Sequence, residues 1–184
     1  MRQVLEHGRY HADLHPANLL VTRDGRICYL DFGITGRTTP AQRIAIAQVL
    51  AATVYGDAER ALHYSRALGL EVPEARVAAV RAAVADLMKR HLGRREQADV
   101  RGFALGFLSM LADFRIPIPE GYGLLIKALV TVEGVARAIY PDIDIIEAAK
   151  PFATRLIAAQ LARPERLRER IPAAVAAALR ELVA

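Results

Sequence analysis

The sequence is short of the residues that mark several classes of protein. It has one cysteine, Cys28, among 184 residues, and aromatic side chains make up only 6%. A single cysteine excludes a disulfide framework and is typical of a reducing compartment, where a cysteine between apolar neighbours usually fills the core. No stretch reaches the roughly 18 uncharged apolar residues of a membrane span. We therefore expect a soluble or peripheral protein of the cytoplasm.

Charge of one sign is not concentrated in a block. Lysine and arginine number 25 against 20 acidic residues, a net charge of +5, and the arginines lie next to acids along the chain. A nucleic-acid partner is not expected from this pattern. One basic run near the C-terminus is typical of a solvated face (Arg163, Arg166, Arg168 and Arg170). Because apolar residues lie among these arginines, a peripheral contact with anionic lipid on the inner face of the membrane stays open as an alternative.

The composition favours a mainly α fold. Hydrophobic residues make up 53%, alanine and leucine are abundant, and β-branched residues do not cluster in alternating runs. The exception is residues 19–30, where two short β-prone runs flank Asp24-Gly25, a strong hairpin signal. We predict one small hairpin followed by six to eight helices, with residues 1–38 holding a helix end, loops and hairpin, 39–162 a helical body, and 163–184 a helical extension.

Helix boundaries are marked in the body. Thr39, Pro40 and Gln42 form a capping box with proline at the first helical position, which predicts a first helix ending before Gly56. Apolar spacing predicts the others at about 58–68, 77–93, 100–114, 122–139 and from 144 onward, the last kinked or split at Pro151. Glu133, inside an apolar stripe, is expected to pair with Arg137 at i+4.

The most specific signal is residues 11–18, HADLHPAN, followed by Asp31-Phe32-Gly33. Each piece alone is weak. Together, Asp13 to Asn18 is five residues and Asn18 to Asp31 is thirteen, with the predicted hairpin in between. This is the arrangement of a kinase-type catalytic loop and metal-binding loop.

The residue types suit phosphoryl transfer, which needs positioning and charge neutralisation. Asp13 would orient the acceptor or take its proton. Asn18 and Asp31 are hard oxygen donors that would hold Mg²⁺ with the phosphates of ATP. Gly33 would let the chain turn tightly, and His11 would brace the loop through backbone contacts.

Two other interpretations stay open. His11, Asp13 and His15 alternate, so on a strand they would face one side and could ligate a transition metal, although Pro16 favours a loop. The same polar residues could also serve only as turn formers and caps.

These motifs resemble the UbiB/AarF (ADCK-type) family of atypical kinases, whose loop has the pattern HAD-x-HPGN. Aminoglycoside and choline phosphotransferases have a similar loop, but the segments after Gly33 resemble UbiB/AarF over nearly the whole chain (Ile34-Thr35-Gly36, Thr39-Pro40, Tyr55-Gly56-Asp57, Ile126-Lys127-Ala128-Leu129, Glu133-Gly134-Val135-Ala136-Arg137 and Tyr140-Pro141-Asp142).

The resemblance implies the C-terminal lobe of a kinase-like fold, with Asp13 as the catalytic-loop aspartate, and Asn18 and Asp31 as ligands of Mg²⁺ beside ATP. His15 stands where typical protein kinases have a lysine, so a constant positive charge for the γ-phosphate must come from elsewhere. Ala17 replaces the usual glycine, which raises the question of whether that position needs a positive φ. The family is linked to ubiquinone and isoprenoid-lipid biosynthesis, which implies a lipid or quinone-pathway intermediate as a partner besides nucleotide.

The sequence begins ten residues before His11, and it contains none of the segments that bind nucleotide from an N-terminal lobe. We therefore expect a truncated kinase or ATPase half-site with weak or absent turnover, so whether this chain alone is an enzyme stays open. The alternatives are a fragment of an aminoglycoside- or choline-type phosphotransferase and a non-catalytic helical binding module.

Overall fold

A computed structural model describes residues 1–93 and 98–161. A short helical turn, Gln3–His7, leads into the first strand. The strands are β1 (Arg9–His11), β2 (Leu19–Val21), β3 (Ile27–Tyr29) and β4 (Thr35–Arg37). The α-helices are α1 (Pro40–Val54), α2 (Ala58–Ser65), α3 (Val77–Leu92), α4 (Val100–Asp113), α5 (Glu120–Ile139) and α6 (Ile145–Leu161). The mainly α fold is confirmed, and the predicted extension at 163–184 lies outside the described residues.

Two antiparallel strand pairs are nested one inside the other. The inner pair, β2 with β3, is the predicted hairpin and sets Leu20 opposite Cys28. Its turn contains Gly25 at a φ of 79°, in the left-handed region that glycine adopts without strain. The outer pair, β1 with β4, was not predicted, because its two three-residue strands are far apart in sequence and have no alternating pattern.

The outer pair depends on a glycine. Tyr10 and Gly36 lie opposite each other, and a Cβ on Gly36 would be 2.1 Å from a ring carbon of Tyr10. Because Gly36 has no side chain, the Tyr10 ring can lie across β4, and Tyr10 is only 5% exposed. Any larger residue at position 36 would displace that ring.

Most helices begin as the sequence predicts. The Thr39 hydroxyl accepts from the Gln42 N–H at 3.2 Å, and the Gln42 side chain accepts from the Thr39 N–H at 2.9 Å, so the capping box of α1 is complete. Helix α2 is shorter than predicted, because a 3₁₀ turn, Arg66–Leu68, follows it. The last helix was predicted to be kinked or split at Pro151; the split is wrong, since α6 is continuous through the proline.

Buried neighbours explain why α6 continues. Ala149 and Ala153, on either side of the proline, are 4% and 5% exposed. Their packing offsets the hydrogen bond that proline cannot donate.

Glu133 on α5 is also buried, and its Oε1 lies 2.6 Å from Arg137 Nε, which confirms the predicted pair.

The apolar residues form two clusters. One joins α2, α3 and α4 around Leu70, Val80 and Leu111, all fully buried. The second lies beneath the outer strand pair and contains residues from the N-terminal turn, β1, the loop after it, α1, α5 and α6 (Val4, Leu5, Tyr10, Ala12, Ile46, Ala47, Leu125, Ala128 and Ala153). This second cluster ties the loop after β1 to helix α5.

The inner hairpin is outside both clusters. Val21 and Ile27 are 74% and 59% exposed, and Cys28 is exposed as well. The expectation that Cys28 fills the core is therefore wrong, because neither face of β3 lies against the helices in the described part of the chain.

Candidate active site

The nested strands bring the two predicted loops to the same place. The Ala12 N–H donates to the Ile34 carbonyl at 3.0 Å, continuing the outer pair, and the Leu30 N–H donates to the Asn18 carbonyl at 2.9 Å, continuing the inner pair. Residues 13–17 and 31–33 lie between these two bonds. The catalytic-type loop and the metal-type loop are thus closed at both ends by backbone hydrogen bonds.

His11 connects the two loops from below. It is 3% exposed; its Nδ1 accepts from the Asp13 N–H at 3.1 Å, and its Nε2 lies 3.0 Å from the Leu30 carbonyl. Because Nδ1 is an acceptor, the proton is on Nε2 and is donated to Leu30. The Phe32 ring covers the imidazole, with centroids 5.4 Å apart. The His11 imidazole hydrogen-bonds only to backbone atoms, which suits a positioning residue.

Asn18 is the other buried polar residue of the region, at 7% exposure. Its Nδ2 donates to the Asp13 carbonyl at 3.1 Å and to His15 Nε2 at 3.1 Å. Both contacts use the nitrogen, so neither engages the amide oxygen, which is the atom that binds a hard cation. The exposed His15 thus supports the Asn18 side chain from the solvent side.

Ala17 answers the question raised by its departure from the family pattern. It lies in the 3₁₀ turn Pro16–Asn18, and its φ is not positive. The backbone therefore needs no glycine at this position. The methyl group of Ala17 is accommodated without strain.

The sharp turn after β3 is made by Asp31 itself and not, as predicted, by Gly33. Asp31 has a φ of 47°, whereas Gly33 has no positive φ. The Gly33 N–H donates to Asp31 Oδ1 at 3.1 Å, and a Cβ on Gly33 would lie 3.1 Å from the same oxygen. Glycine at 33 thus gives room for the carboxylate, while aspartate is among the residues that tolerate the left-handed region.

Asp13 has an ionic partner that the sequence did not indicate. Its Oδ1 lies 2.8 Å from Nζ of Lys127 on α5, with the two side chains about a third and a half exposed, at 35% and 49%. The hydrogen bond from the Lys127 ammonium holds the pKa of the Asp13 carboxyl below its usual range. Asp13 is therefore ionised at neutral pH.

The role of Lys127 as partner of Asp13 was not predicted, because the two residues are far apart in the sequence. One signal was present: it is a lone lysine inside an apolar run, between Ile126 and Ala128. A charge at such a position needs either solvent or a partner, so it marks a residue whose side chain should be followed in the structure.

The donor set suits a magnesium ion better than a transition metal. Asn18 and Asp31 offer an amide oxygen and a carboxylate, a pair that is too small for an all-protein cage but typical of Mg²⁺ with substrate phosphates. Within residues 1–93 and 98–161, no group of three or more histidine, cysteine or acidic side chains is placed to hold a metal. The alternative of a transition-metal site at His11, Asp13 and His15 is therefore not supported. Both ring nitrogens of His11 are, in addition, hydrogen-bonded to backbone atoms.

A helical body that presents these two loops on short antiparallel strands is the arrangement of a kinase-like C-terminal lobe. Residues 1–65 match the family model described as ABC1 atypical kinase-like domain, and residues 102–144 match the one described as UbiB helical domain. The chain belongs to this ABC1/UbiB family of atypical kinase-like proteins.

Curated relatives agree with the family. An uncharacterized protein of Synechocystis sp. is 31% identical over 156 residues, which is 84% of this chain and 28% of that protein. An uncharacterized aarF domain-containing protein kinase of Arabidopsis thaliana is 34% identical over 84% of this chain and 22% of its own length. The Arabidopsis protein ACTIVITY OF BC1 COMPLEX KINASE 1 is 32% identical over 84% of this chain and 23% of its own length.

The chain thus spans about a quarter of the length of these curated relatives. No solved structure matches it. In the part of the chain that the structure describes, none of the helices combines the length and the apolar character needed to cross a membrane.

Proposed function

We propose that this chain forms the acceptor and metal half of a Mg-ATP site that transfers or hydrolyses the terminal phosphoryl group. The observation that carries the proposal is the pair of closed loops, which hold Asp13, Asn18 and Asp31 on one rigid frame. Two of the relatives have the word kinase in their names, which supports the same class of reaction.

The residues have separate tasks in this proposal. Asn18 and Asp31 would hold the magnesium ion, which neutralises charge on the phosphates when it is bound. The acceptor oxygen forms a bond to the terminal phosphorus, and the bond between that phosphorus and the bridging oxygen breaks. The electron pair of the broken bond stays on the bridging oxygen of ADP. Asp13, ionised and pointed by the His11 contact to its backbone, orients the acceptor hydroxyl and receives its proton.

The acceptor we propose is a small molecule, a lipid-pathway intermediate or water, and not a peptide. Only residues 34–38 separate Gly33 from the cap of α1 at Thr39, and three of them form β4. A peptide-binding segment has no room there. The link to isoprenoid-lipid or quinone biosynthesis rests on the family resemblance, and an inner-membrane contact through residues 163–170 stays a prediction outside the described residues.

The test is a thermal shift of the full chain with Mg-ATP. We expect Mg-ATP to raise Tm, and Asp31→Gly to abolish this rise, because glycine removes the carboxylate while keeping the left-handed backbone. Asp31→Ala should do the same from a lower starting Tm.

Asp86→Ala is the matched control, since Asp86 is an exposed acid paired with Arg90 on α3, and it should keep the full shift. No Mg-ATP shift in the unaltered chain would overturn the proposal. A shift that survives loss of both Asp13 and Asp31 would favour the non-catalytic binding module instead.

A further inference from the structure

Lys127 lies at the centre of the site but has no task in the proposed mechanism. Its ammonium is in direct contact with the Asp13 carboxylate, and half of its side chain is open to solvent. Resting on the proposed function, we infer that Lys127 is the phosphate-binding cation of this site: its Nζ moves from Asp13 to the terminal phosphate of the nucleotide when Mg-ATP binds.

The loops themselves supply no such cation. From His11 to Leu19 the sequence has no lysine or arginine. His15, at the position where a lysine would be expected, is hydrogen-bonded to Asn18, and a histidine does not supply a constant positive charge at neutral pH. Within the described residues, a charge that neutralises phosphate oxygens would therefore come from another element of the fold.

Helix α5 is fixed firmly enough to supply it. Leu125 and Ala128, on either side of Lys127, are 8% and 4% exposed and belong to the same apolar cluster as Tyr10 and Ala12. Ala12 immediately precedes Asp13. The backbones of the two charged residues are thus anchored in one packed unit, and only the side chain of Lys127 is free to move.

A lysine suits this task chemically. Its ammonium is a compact charge on a flexible four-carbon stem, so it can follow a phosphate oxygen over a few ångströms without any movement of the helix. The pair between Lys127 and Asp13 compensates both charges. When a phosphate draws the ammonium away, the Asp13 carboxylate is released toward the acceptor.

The inference predicts selective loss of affinity for the nucleotide that has the terminal phosphate. We would titrate Mg-ATP and Mg-ADP separately into the full chain by calorimetry and compare Lys127→Met with Lys127→Arg. Lys127→Met should weaken Mg-ATP binding by about tenfold or more and change Mg-ADP binding by less than about twofold, since one charge-assisted contact to the terminal phosphate is lost. Lys127→Arg should recover most of the Mg-ATP affinity.

Lys150→Met is the matched control, because Lys150 is a comparably exposed lysine paired with Glu147 on α6, and it should bind both nucleotides normally. Equal weakening of Mg-ATP and Mg-ADP by Lys127→Met would overturn the inference and show that the lysine only holds the loop. Unchanged binding of both nucleotides, in a chain whose Asp31→Gly variant loses them, would overturn it as well while leaving the proposed function intact. If the unaltered chain binds neither nucleotide, the proposed function and this inference fail together.

Discussion

In the helical part of the chain, residues 40–161, large apolar side chains such as Leu70, Val80 and Leu111 are completely buried. In the loop-and-hairpin part, residues 9–37, Val21 and Ile27 are more than half exposed, whereas the polar His11 and Asn18 are buried. Polar side chains are thus buried beside the candidate loops, while the inner hairpin leaves apolar ones exposed. Side-chain hydrogen bonds shape these loops, whereas apolar burial, including that of Tyr10 and Ala12, stabilises the body beneath them.

The largest expected effect breaks the helical side of this comparison. Leu111→Ala should lower the free energy of unfolding by about 3 to 5 kcal/mol, because it opens a cavity at a fully buried position of the first cluster. Ile27→Ala, at a 59% exposed position of the hairpin, should change it by less than about 0.5 kcal/mol. Urea unfolding of both variants measures the contrast. Similar losses would mean that apolar side chains cover the hairpin, contrary to the exposure of Ile27.

A smaller effect tests the polar side. His11→Ala removes one acceptor and one donor and leaves the Asp13 N–H and the Leu30 carbonyl without their partner. We expect a loss of about 2 kcal/mol in urea unfolding, the cost of leaving buried polar groups unsatisfied, together with a reduced Mg-ATP thermal shift. His63→Ala, at an exposed position of α2, is the control and should cost less than about 0.5 kcal/mol. Equal effects of the two variants would show that His11 does not organise the loops.

The smallest effect sharpens the comparison at a helix end. The Asp99 carboxylate accepts from the Gly102 N–H at 2.7 Å and caps α4, and that bond, with help from His91, lowers the pKa of Asp99 below its usual value. A lowered pKa stabilises the folded state at neutral pH, and the gain disappears as pH falls through the folded-state pKa. Asp99→Ala should therefore cost about 1 kcal/mol at pH 7 and much less in strong acid.

Asp99→Asn keeps the cap but cannot titrate, so it should remain near the original stability at pH 7. Thermal unfolding as a function of pH separates the three chains. A difference between Asp99 and alanine that stays constant into strong acid would contradict the lowered pKa.

Local signals predicted much of the fold. The capping box at Thr39, the hairpin turn at Asp24-Gly25 and the i+4 pair of Glu133 and Arg137 each act within a few residues, and each is present in the structure. The two predicted loops also lie side by side, because their spacing spans a hairpin that the sequence itself specifies; the roles of their residues stay predictions. Structural features that depend on residues a few positions apart were therefore predictable from the sequence.

The features that failed depend on residues far apart. Strands β1 and β4 pair only because Gly36 receives the Tyr10 ring, and nothing in either three-residue run indicates the other. Cys28 has apolar neighbours in sequence but no helix against it in space. Lys127 reaches Asp13 only because α5 packs beneath the loop, a contact that requires the whole tertiary fold.

The nesting of the strand pairs has a consequence for how the site forms. We expect the β2–β3 turn to close first, since it has the shortest loop, and the Asn18–Leu30 bond, the Ala12–Ile34 bond and the β1–β4 pair to follow, because each then adds only a little chain to be ordered. Small increments in loop length cost little entropy, and contacts of low sequence separation favour rapid formation. The contact between Lys127 and Asp13 instead waits for α5 to dock. The loops that hold Asn18 and Asp31 thus depend on contacts of low sequence separation, whereas the pair of Lys127 and Asp13 depends on the whole tertiary fold, and we expect that pair to form last.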